Sequence, residues 1–345
     1  MEYRTLGGSG CSVSSYALGT MTFGAECGQE DAHAQLDAFV EAGGTLVDTA
    51  DVYATGTSEE IIGRWLSTRG NDVRERVVVA TKGRFPSGGG GPNDVGLSRR
   101  HLTYALDASL RRLGLEQVDL YQVHAWDPWT PPEEWLRFLD DAVRAGKILY
   151  PGLSNLTGWQ VQKVVDIADF GGLARPVTLQ PQYNLLVREI EWEIVPVCEA
   201  EGLGLLPWSP LGGGWLTGKY SRDQAPSGAT RLGENPDRGV EAYGRRGVVQ
   251  RTWDVVSAVQ KVAEGRGVSM AQVALAWLHD RPAVTAVILG ARTLDQLRDN
   301  LGAAGLHLSD EETEALDLAS DPGAADYPYG GPGTQQRWRR IEGGR

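Results

Sequence analysis

The chain has 345 residues, 41% of them apolar, enough for a sizeable core, and its 33 Lys and Arg against 45 Asp and Glu leave a net charge of −12. That balance argues against a nucleic-acid or anionic-membrane surface, both of which need a basic face, though a few local cations could still hold a small anion. The opening MEYRTLGGSG lacks the apolar stretch of a signal peptide, no run approaches the ~20 apolar residues of a membrane span, and Cys11, Cys27 and Cys198 are too scattered for a disulfide framework or a zinc site, so a cytoplasmic protein is expected.

In chain order, the sequence predicts a small hairpin, Tyr3–Leu6 with Cys11–Ser14, and then eight strands: Tyr16–Thr20, Thr45–Asp48, Val77–Lys82, Asp119–His124, Ile148–Ser154, Thr178–Gln182, Gly204–Trp208 and Ala286–Leu289. Helical periodicity falls between them, over Glu30–Ala42, Ser58–Ser67, Ser98–Leu113, Pro132–Ala145, Gly158–Phe170, Ile190–Glu201 and Ala271–Asp280. Ser98–Leu113 is the clearest, with Leu102, Leu106, Leu110 and Leu113 on one face, Ser98 placed to cap its start and Gly114 to close it. A strand–helix unit repeated without a break in composition predicts an α/β fold, a closed (β/α)8 TIM barrel over residues 1–320, with a doubly wound open sheet as the alternative. Three segments depart from the alternation. Residues 84–97 form a Gly-rich loop, residues 211–247 form a long loop that could close over a ligand, and residues 321–345 form a Gly-, Pro- and Arg-rich tail, either partly disordered or folded across the barrel mouth.

In such a barrel the active site lies where the C-terminal ends of the strands meet. The second strand ends in Asp48 with Tyr53 in the following loop, the third in Lys82 and the fourth in His124. Singly, each has an ordinary explanation: a loop cap, a loop phenol, a solvated amine, a rim imidazole. Together on successive strands they suit carbonyl reduction, in which hydride attack builds negative charge on oxygen and requires a proton donor and a polarising group beside it. A free phenol, with a pKa of ~10, is a weak acid near neutrality. A Lys82 ammonium would lower that value, Asp48 would hold the ammonium in place, and His124 could donate to the carbonyl. His33, His101, His279 and His307 fall in or beside helical patterns and are expected to be structural or solvent-facing.

At these residues the chain resembles the aldo-keto reductases over nearly its whole length. TLGGSGCSVSSYALGTMTFG, LVDTADVY, TKG, LYQVHAWD, GLSN, LQPQYN, PWSPLGGGWLTGKY and ILGARTLDQLRDN occur in that family's order. The resemblance implies a barrel without a Rossmann domain, NADPH/NADP+ at its mouth, and a tetrad of Asp48, Tyr53, Lys82 and His124 with Tyr53 as the general acid. It implies that Ser154, Asn155 and Gln180 hold the nicotinamide carboxamide, that Trp208 stacks on the ring, that Ser209 contacts the cofactor, and that Leu211, Gly213 and Lys219 serve the pyrophosphate. It further implies that Gly290 and Arg292 take the 2′-phosphate and that Gln296 and Asn300 reach the adenine. Where some family members carry Lys, this chain has Gly290, so a preference for NADPH rests on Arg292, whose plain alternative is a surface ion pair with Asp295. Phe23, Phe85, Trp126 and Trp129 are candidate walls for an apolar or ring-bearing carbonyl substrate, an aldehyde or α-dicarbonyl, with keto-sugars also compatible.

Two other motifs fail on inspection. Gly213-x-x-x-x-Gly218-Lys219 resembles a phosphate-binding P-loop, but Tyr220 stands where Ser or Thr is needed, and no helix pattern follows. Gly202-x-Gly204-x-x-Pro207 is a broken dinucleotide fingerprint lying inside a strand. The alternative of another class is a cofactor-binding regulatory subunit of a membrane protein, because potassium-channel β subunits share this barrel; the chain's start directly at the hairpin speaks against it. A homo-oligomer is compatible with the sequence.

Overall fold

A computed structural model describes residues 1–86, 88–228, 230–237 and 239–337. Eight parallel strands, here β1 to β8, run Tyr16–Gly19, Leu46–Asp48, Val78–Gly83, Val118–Val123, Ile148–Ser154, Thr178–Gln180, Gly204–Leu205 and Val287–Gly290, in the order β8-β1-β2-β3-β4-β5-β6-β7. The ring closes between β7 and β8, where Leu205 N donates to Ala283 O at 2.8 Å, Thr285 N to Leu205 O at 2.9 Å and Ile288 N to Pro207 O at 3.1 Å. This is the (β/α)8 barrel, not the open sheet. β6 and β7 are shorter than their apolar runs because Pro181 and Pro207 have no amide hydrogen for the ladder. Pairing resumes beyond them in a bridge between Gln182 and Trp208.

Two layers of core follow from the alternation of side chains along each strand. Inside the ring, Ala17, Leu46, Ala80, Leu120, Leu206 and Ala286 form a small cluster, sealed from below by Leu6 and Val13 of the hairpin Tyr3–Thr5 and Ser12–Ser14. The hairpin presses so close that a Cβ on Gly7 would lie 1.9 Å from Val177 O, and one on Gly204 would lie 2.7 Å from Gly7 N. The larger layer lies between strands and helices and includes the fully buried rings of Trp65, Trp135, Trp215 and Trp277.

The helices keep close to their predicted bounds, and Arg99–Leu113 starts and stops as its caps require, with Ser98 accepting from His101 N and Gly114 left-handed at φ 65°. The stretch expected as one helix over 190–201 is broken instead. A 3-10 turn, Glu189–Trp192, gives way at Glu193 (φ −138°) to a helix over Ile194–Glu201. Two longer helices absent from the sequence reading, Gln250–Arg266 and Asp310–Ser320, pack against each other. Of the tail, residues 338–345 lie outside the described residues. The part described docks on the outer turn, with Tyr329 stacked on Trp192 at 5.5 Å and its hydroxyl bonded to Glu193. No helix among the described residues is long and apolar enough to cross a membrane.

Candidate active site

The strand register decides which side chains become neighbours at the mouth. Lys82 pairs with Gln122 across β3 and β4, and Ser154 with Gln180 across β5 and β6. Asp48, at the end of β2, is 3% exposed and collects hydrogen bonds from three of these strands' residues. Lys82 Nζ donates to its Oδ2 at 2.7 Å, and Gln180 Nε2 and Gln122 Nε2 donate to its Oδ1 at 2.8 and 3.3 Å. Lys82 is fully buried and spends its other donors on Thr49 O at 2.7 Å and the Tyr53 hydroxyl at 3.4 Å, with the ammonium 5.0 Å from the Tyr53 ring centre. His124 follows β4, its ring edge-on to Tyr53 at 5.9 Å and to Phe85 at 4.8 Å. The four side chains therefore converge on one mouth.

Electrostatics shift three of them, Lys82, Tyr53 and His124. Burial penalises the Lys82 ammonium, but Asp48 and then Tyr53 outweigh it, so its pKa stands above the ordinary value. Burial also raises the Tyr53 phenol, and the neighbouring Lys82 only partly offsets this, so the net direction is upward rather than the lowering expected from lysine alone. His124 is pushed down to about 2 by burial, then by Lys82 and Arg84, and is a neutral imidazole at any ordinary pH. It can act as a neutral hydrogen-bond donor, not as an imidazolium acid.

Backbone strain gathers at the same mouth. Among the described residues, non-glycine positive φ occurs at Ala54 (47°), Thr55 (54°), Asn155 (58°), Ser209 (55°) and Ala283 (59°). The first two form the turn that presents Tyr53, and Asn155 and Ser209 follow β5 and β7. Such conformations cost of order 1–3 kcal/mol each and persist only where surrounding contacts hold them. Here Asn155 Nδ2 donates to His124 O at 2.9 Å, its Oδ1 accepts from Trp208 Nε1 at 3.0 Å, and Ser154 Oγ donates to Gln180 O at 2.8 Å. Ser154, Asn155, Gln180 and Trp208 thus form one interlocked set, with the Gln180 amide turned onto Asp48.

Further round the rim, the segment after β7 makes a 3-10 turn over Gly212–Thr217, not the helix a P-loop needs. Gly213 sits at φ 65°, where a Cβ would meet Glu241 at 3.0 Å, so only glycine fits without displacement. Leu211 precedes this turn. Trp215 anchors it, fully buried, stacked on Tyr243 and donating to Glu241 O at 3.0 Å. Lys219 makes no ion pair among the described residues, and its pKa is lowered by burial and then by the charge of Arg292. Arg292 pairs with Glu26 at 3.2 Å and Glu234 at 2.8 Å, while Asp295, the partner in the alternative reading, lies 3.9 Å from Arg298. Gln296 Oε1 caps Arg292 N at 2.9 Å, and Asn300 Nδ2 donates to Gly290 O at 3.3 Å. A Cβ on Gly290 would meet nothing within 4 Å, so protein does not fill that space.

The aromatic candidates separate. Phe85 packs on His124 at the mouth, and Trp126 stacks edge-on with Trp159 at 5.6 Å. Phe23 is corrected to a core residue: it is fully buried in the outer packing layer. Trp129, at 92% exposed, faces solvent rather than a cavity wall.

Several residues at the site went unread in the sequence. Gln122 lies two positions before His124 on the inward face of β4, and alternation along the strand was the available signal. Asp51 is fully buried, its carboxylate oxygens have no well-formed hydrogen bond among the described residues, and burial with the nearby Glu59 charge, only partly offset by Arg112 and the Val52 amide, pushes its pKa up to about 8. Nothing local in TADVY marks it as neutral. Glu26 and Glu234 come from distant loops and carry no sequence signal for meeting Arg292. No cluster of potential metal ligands occurs among the described residues.

Comparison with known proteins identifies the family. The model of the aldo/keto reductase family matches residues 16–321. The chain is 35% identical over 339 residues to a versiconal hemiacetal acetate reductase of Aspergillus parasiticus, covering 92% of this chain and 96% of that one. It is 36% identical over 346 residues to the protein tas of Escherichia coli (strain K12), covering 92% and 97%. It is 38% identical over 305 residues to a probable voltage-gated potassium channel subunit beta of Oryza sativa subsp. japonica, covering 88% and 91%.

Proposed function

The chain belongs to the aldo/keto reductase family, and from that premise we propose that it reduces an aldehyde or ketone to an alcohol with NADPH, Tyr53 delivering the proton. The observation that carries this reading is the Lys82 ammonium, buried at the barrel mouth and shared between the Asp48 carboxylate at 2.7 Å and the Tyr53 hydroxyl at 3.4 Å. A phenol so placed can release its proton to a substrate oxygen while the adjacent ammonium stabilises the phenolate left behind. Neutral His124 donates a hydrogen bond to the same oxygen and orients the carbonyl. Asp48 keeps the ammonium fixed, so no reorganisation is needed as charge develops.

The residues present fit a dinucleotide phosphate. Lys219 lies near enough to Arg292 for that like charge, after burial, to lower its pKa, and the glycine turn at Gly213 lets backbone approach closely; both features suit an anion between the two cations. Ser209, Leu211, Gly213 and Lys219 would hold the pyrophosphate, Gly290 and Arg292 the 2′-phosphate, and Gln296 and Asn300 the adenine. Ser154, Asn155 and Gln180 would present the carboxamide contacts, with Trp208 flanking the ring. When bound, NADPH supplies the hydride. Phe85 and Trp126 favour an apolar or ring-bearing substrate. Trp129 joins them only if its loop folds inward.

Two of the relatives bear reductase or channel-subunit names, and the second reading is that the chain binds cofactor chiefly to regulate a membrane protein. NADPH consumption with aldehydes, dicarbonyls and keto-sugars, run beside NADH, tests both. Turnover with NADPH well above NADH supports the reductase and the Arg292 contact. Tight binding with no turnover favours the regulatory reading, and absence of binding defeats both.

A further inference from the structure

The outer helix Gly158–Gly171 carries an exposed stripe at Trp159, Lys163, Asp166 and Phe170, with Phe170 93% and Trp159 58% open to solvent. Its spacing of four, three and four residues is that of a coiled-coil seam, which places all four within a narrow arc of one face. A groove beside it is shared with the helix Pro132–Arg144, whose Glu133 and Arg137 form its far rim. Large aromatics exposed together mark an interaction surface, since single exposed apolar residues are ordinary but a contiguous patch is not.

The order of the four residues identifies the occupant. The stripe reads aromatic, base, acid, aromatic, symmetrically about the midpoint between Val164 and Val165. A second copy of the helix, antiparallel about a twofold axis through that midpoint, sets Trp159 against Phe170 of the partner subunit and Lys163 against the partner's Asp166. A twofold interface requires this kind of self-complementary patch. We propose that this face is the interface of a symmetric homodimer.

Three further observations support a second copy over an unrelated partner. The face is locally neutral, two acids (Glu133, Asp166) against two bases (Arg137, Lys163), in a chain of net charge −12 that would otherwise repel itself. Lys163 makes no ion pair among the described residues, and Asp166 uses only Oδ1, accepting from Gln162 at 2.9 Å. The neighbouring Asp169, off the stripe, is already matched by Arg175 at 3.1 Å. An aromatic side chain can bury up to about 150–250 Å², so two per protomer provide a substantial part of the ~1,200–2,000 Å² of a stable interface. The pairing also covers Trp159, the ring that backs Trp126 at the mouth.

Sedimentation equilibrium of the full chain at micromolar concentration tests this, with thermal melts confirming that each variant folds. The wild type is expected to be a dimer, and Phe170→Glu a monomer. Lys163→Asp alone sets acid against acid across the axis, and Asp166→Lys alone sets base against base, so each should weaken association at least about tenfold. An equimolar mixture of those two variants should associate as a heterodimer, because both crossed pairs become attractive, and the double reversal K163D/D166K should recover the homodimer. A monomeric wild type, a dimer indifferent to the single reversals, or a mixture no tighter than its components would overturn the proposal.

Discussion

The floor and the rim of the mouth are built on opposite principles. At the floor, Asp48, Lys82, Gln122 and Gln180 are almost wholly buried and joined by hydrogen bonds within one rigid ring of strands. At the rim, Arg292 is held by Glu26 and Glu234, carboxylates 15% and 46% exposed that come from two separate loops. Buried, cross-linked charge stays in place through a reaction, whereas surface ion pairs are worth ~0–1 kcal/mol and exchange readily. On the proposed function, the contrast separates two jobs: a fixed proton-delivery apparatus below, and above it a clasp that can open to admit a large anion.

Breaking the floor should have the largest effect. Lys82→Met leaves Asp48 buried without its counter-charge, so a stability loss of about 3–5 kcal/mol is expected in chemical denaturation, together with loss of turnover. An unchanged midpoint would show that the pair is not the keystone of the floor.

Asp51 tests the same region through pH. Burial holds its carboxyl near 8 against an ordinary 3.8, so ionisation is harder in the folded chain than in the unfolded one. The wild type should therefore lose stability as pH rises from about 4 to 8, by up to roughly 6 kcal/mol at ~1.4 kcal/mol per unit. Asp51→Asn removes that titration. Its melting temperature should match the wild type near pH 4 and exceed it near pH 9, and parallel pH profiles would refute the assignment.

Effects at the rim should be smaller and confined to the cofactor. Arg292→Ala is expected to raise KM for NADPH about 10- to 100-fold, the worth of a charge-assisted hydrogen bond, and to leave KM for NADH almost unmoved. Equal losses with both would place the 2′-phosphate elsewhere. Smallest of all, Glu234→Gln should shift the melting midpoint by less than ~1 kcal/mol in stability while tightening NADPH binding a few-fold, because a competing carboxylate is gone. Weaker NADPH binding in isothermal titration would mean that Glu234 serves the bound state instead.

The same division governs what could be read from the amino-acid order. Asp48, Lys82 and His124 close apolar β-branched runs, so their placement follows from strand periodicity and the geometry of a barrel mouth. The helix Arg99–Leu113 was equally plain, since its leucine face, Ser98 and Gly114 agree. What depends on long-range meetings was hidden. Arg292 has Asp295 as an acidic neighbour in sequence, yet Glu26 and Glu234 reach it from far away in the chain. Lys82 beside Tyr53 suggested a lowered phenol pKa, because burial of the ring cannot be weighed from neighbours in sequence. Phe23 was placed near the mouth by its position after β1, and packing turned it inward instead. Gln250–Arg266 escaped because its Val255, Val259 and Val262 follow a long loop of Gly and Arg that obscures where the helix starts.

In the proposed reaction Tyr53 donates the proton from a floor that remains intact without its hydroxyl. The most direct test is kcat for carbonyl reduction by Tyr53→Phe beside its Kd for NADPH. A fall in kcat of at least about 100-fold is expected, with cofactor affinity nearly unchanged. Turnover close to that of the wild type would contradict it and move the search for the donor to other groups at the mouth.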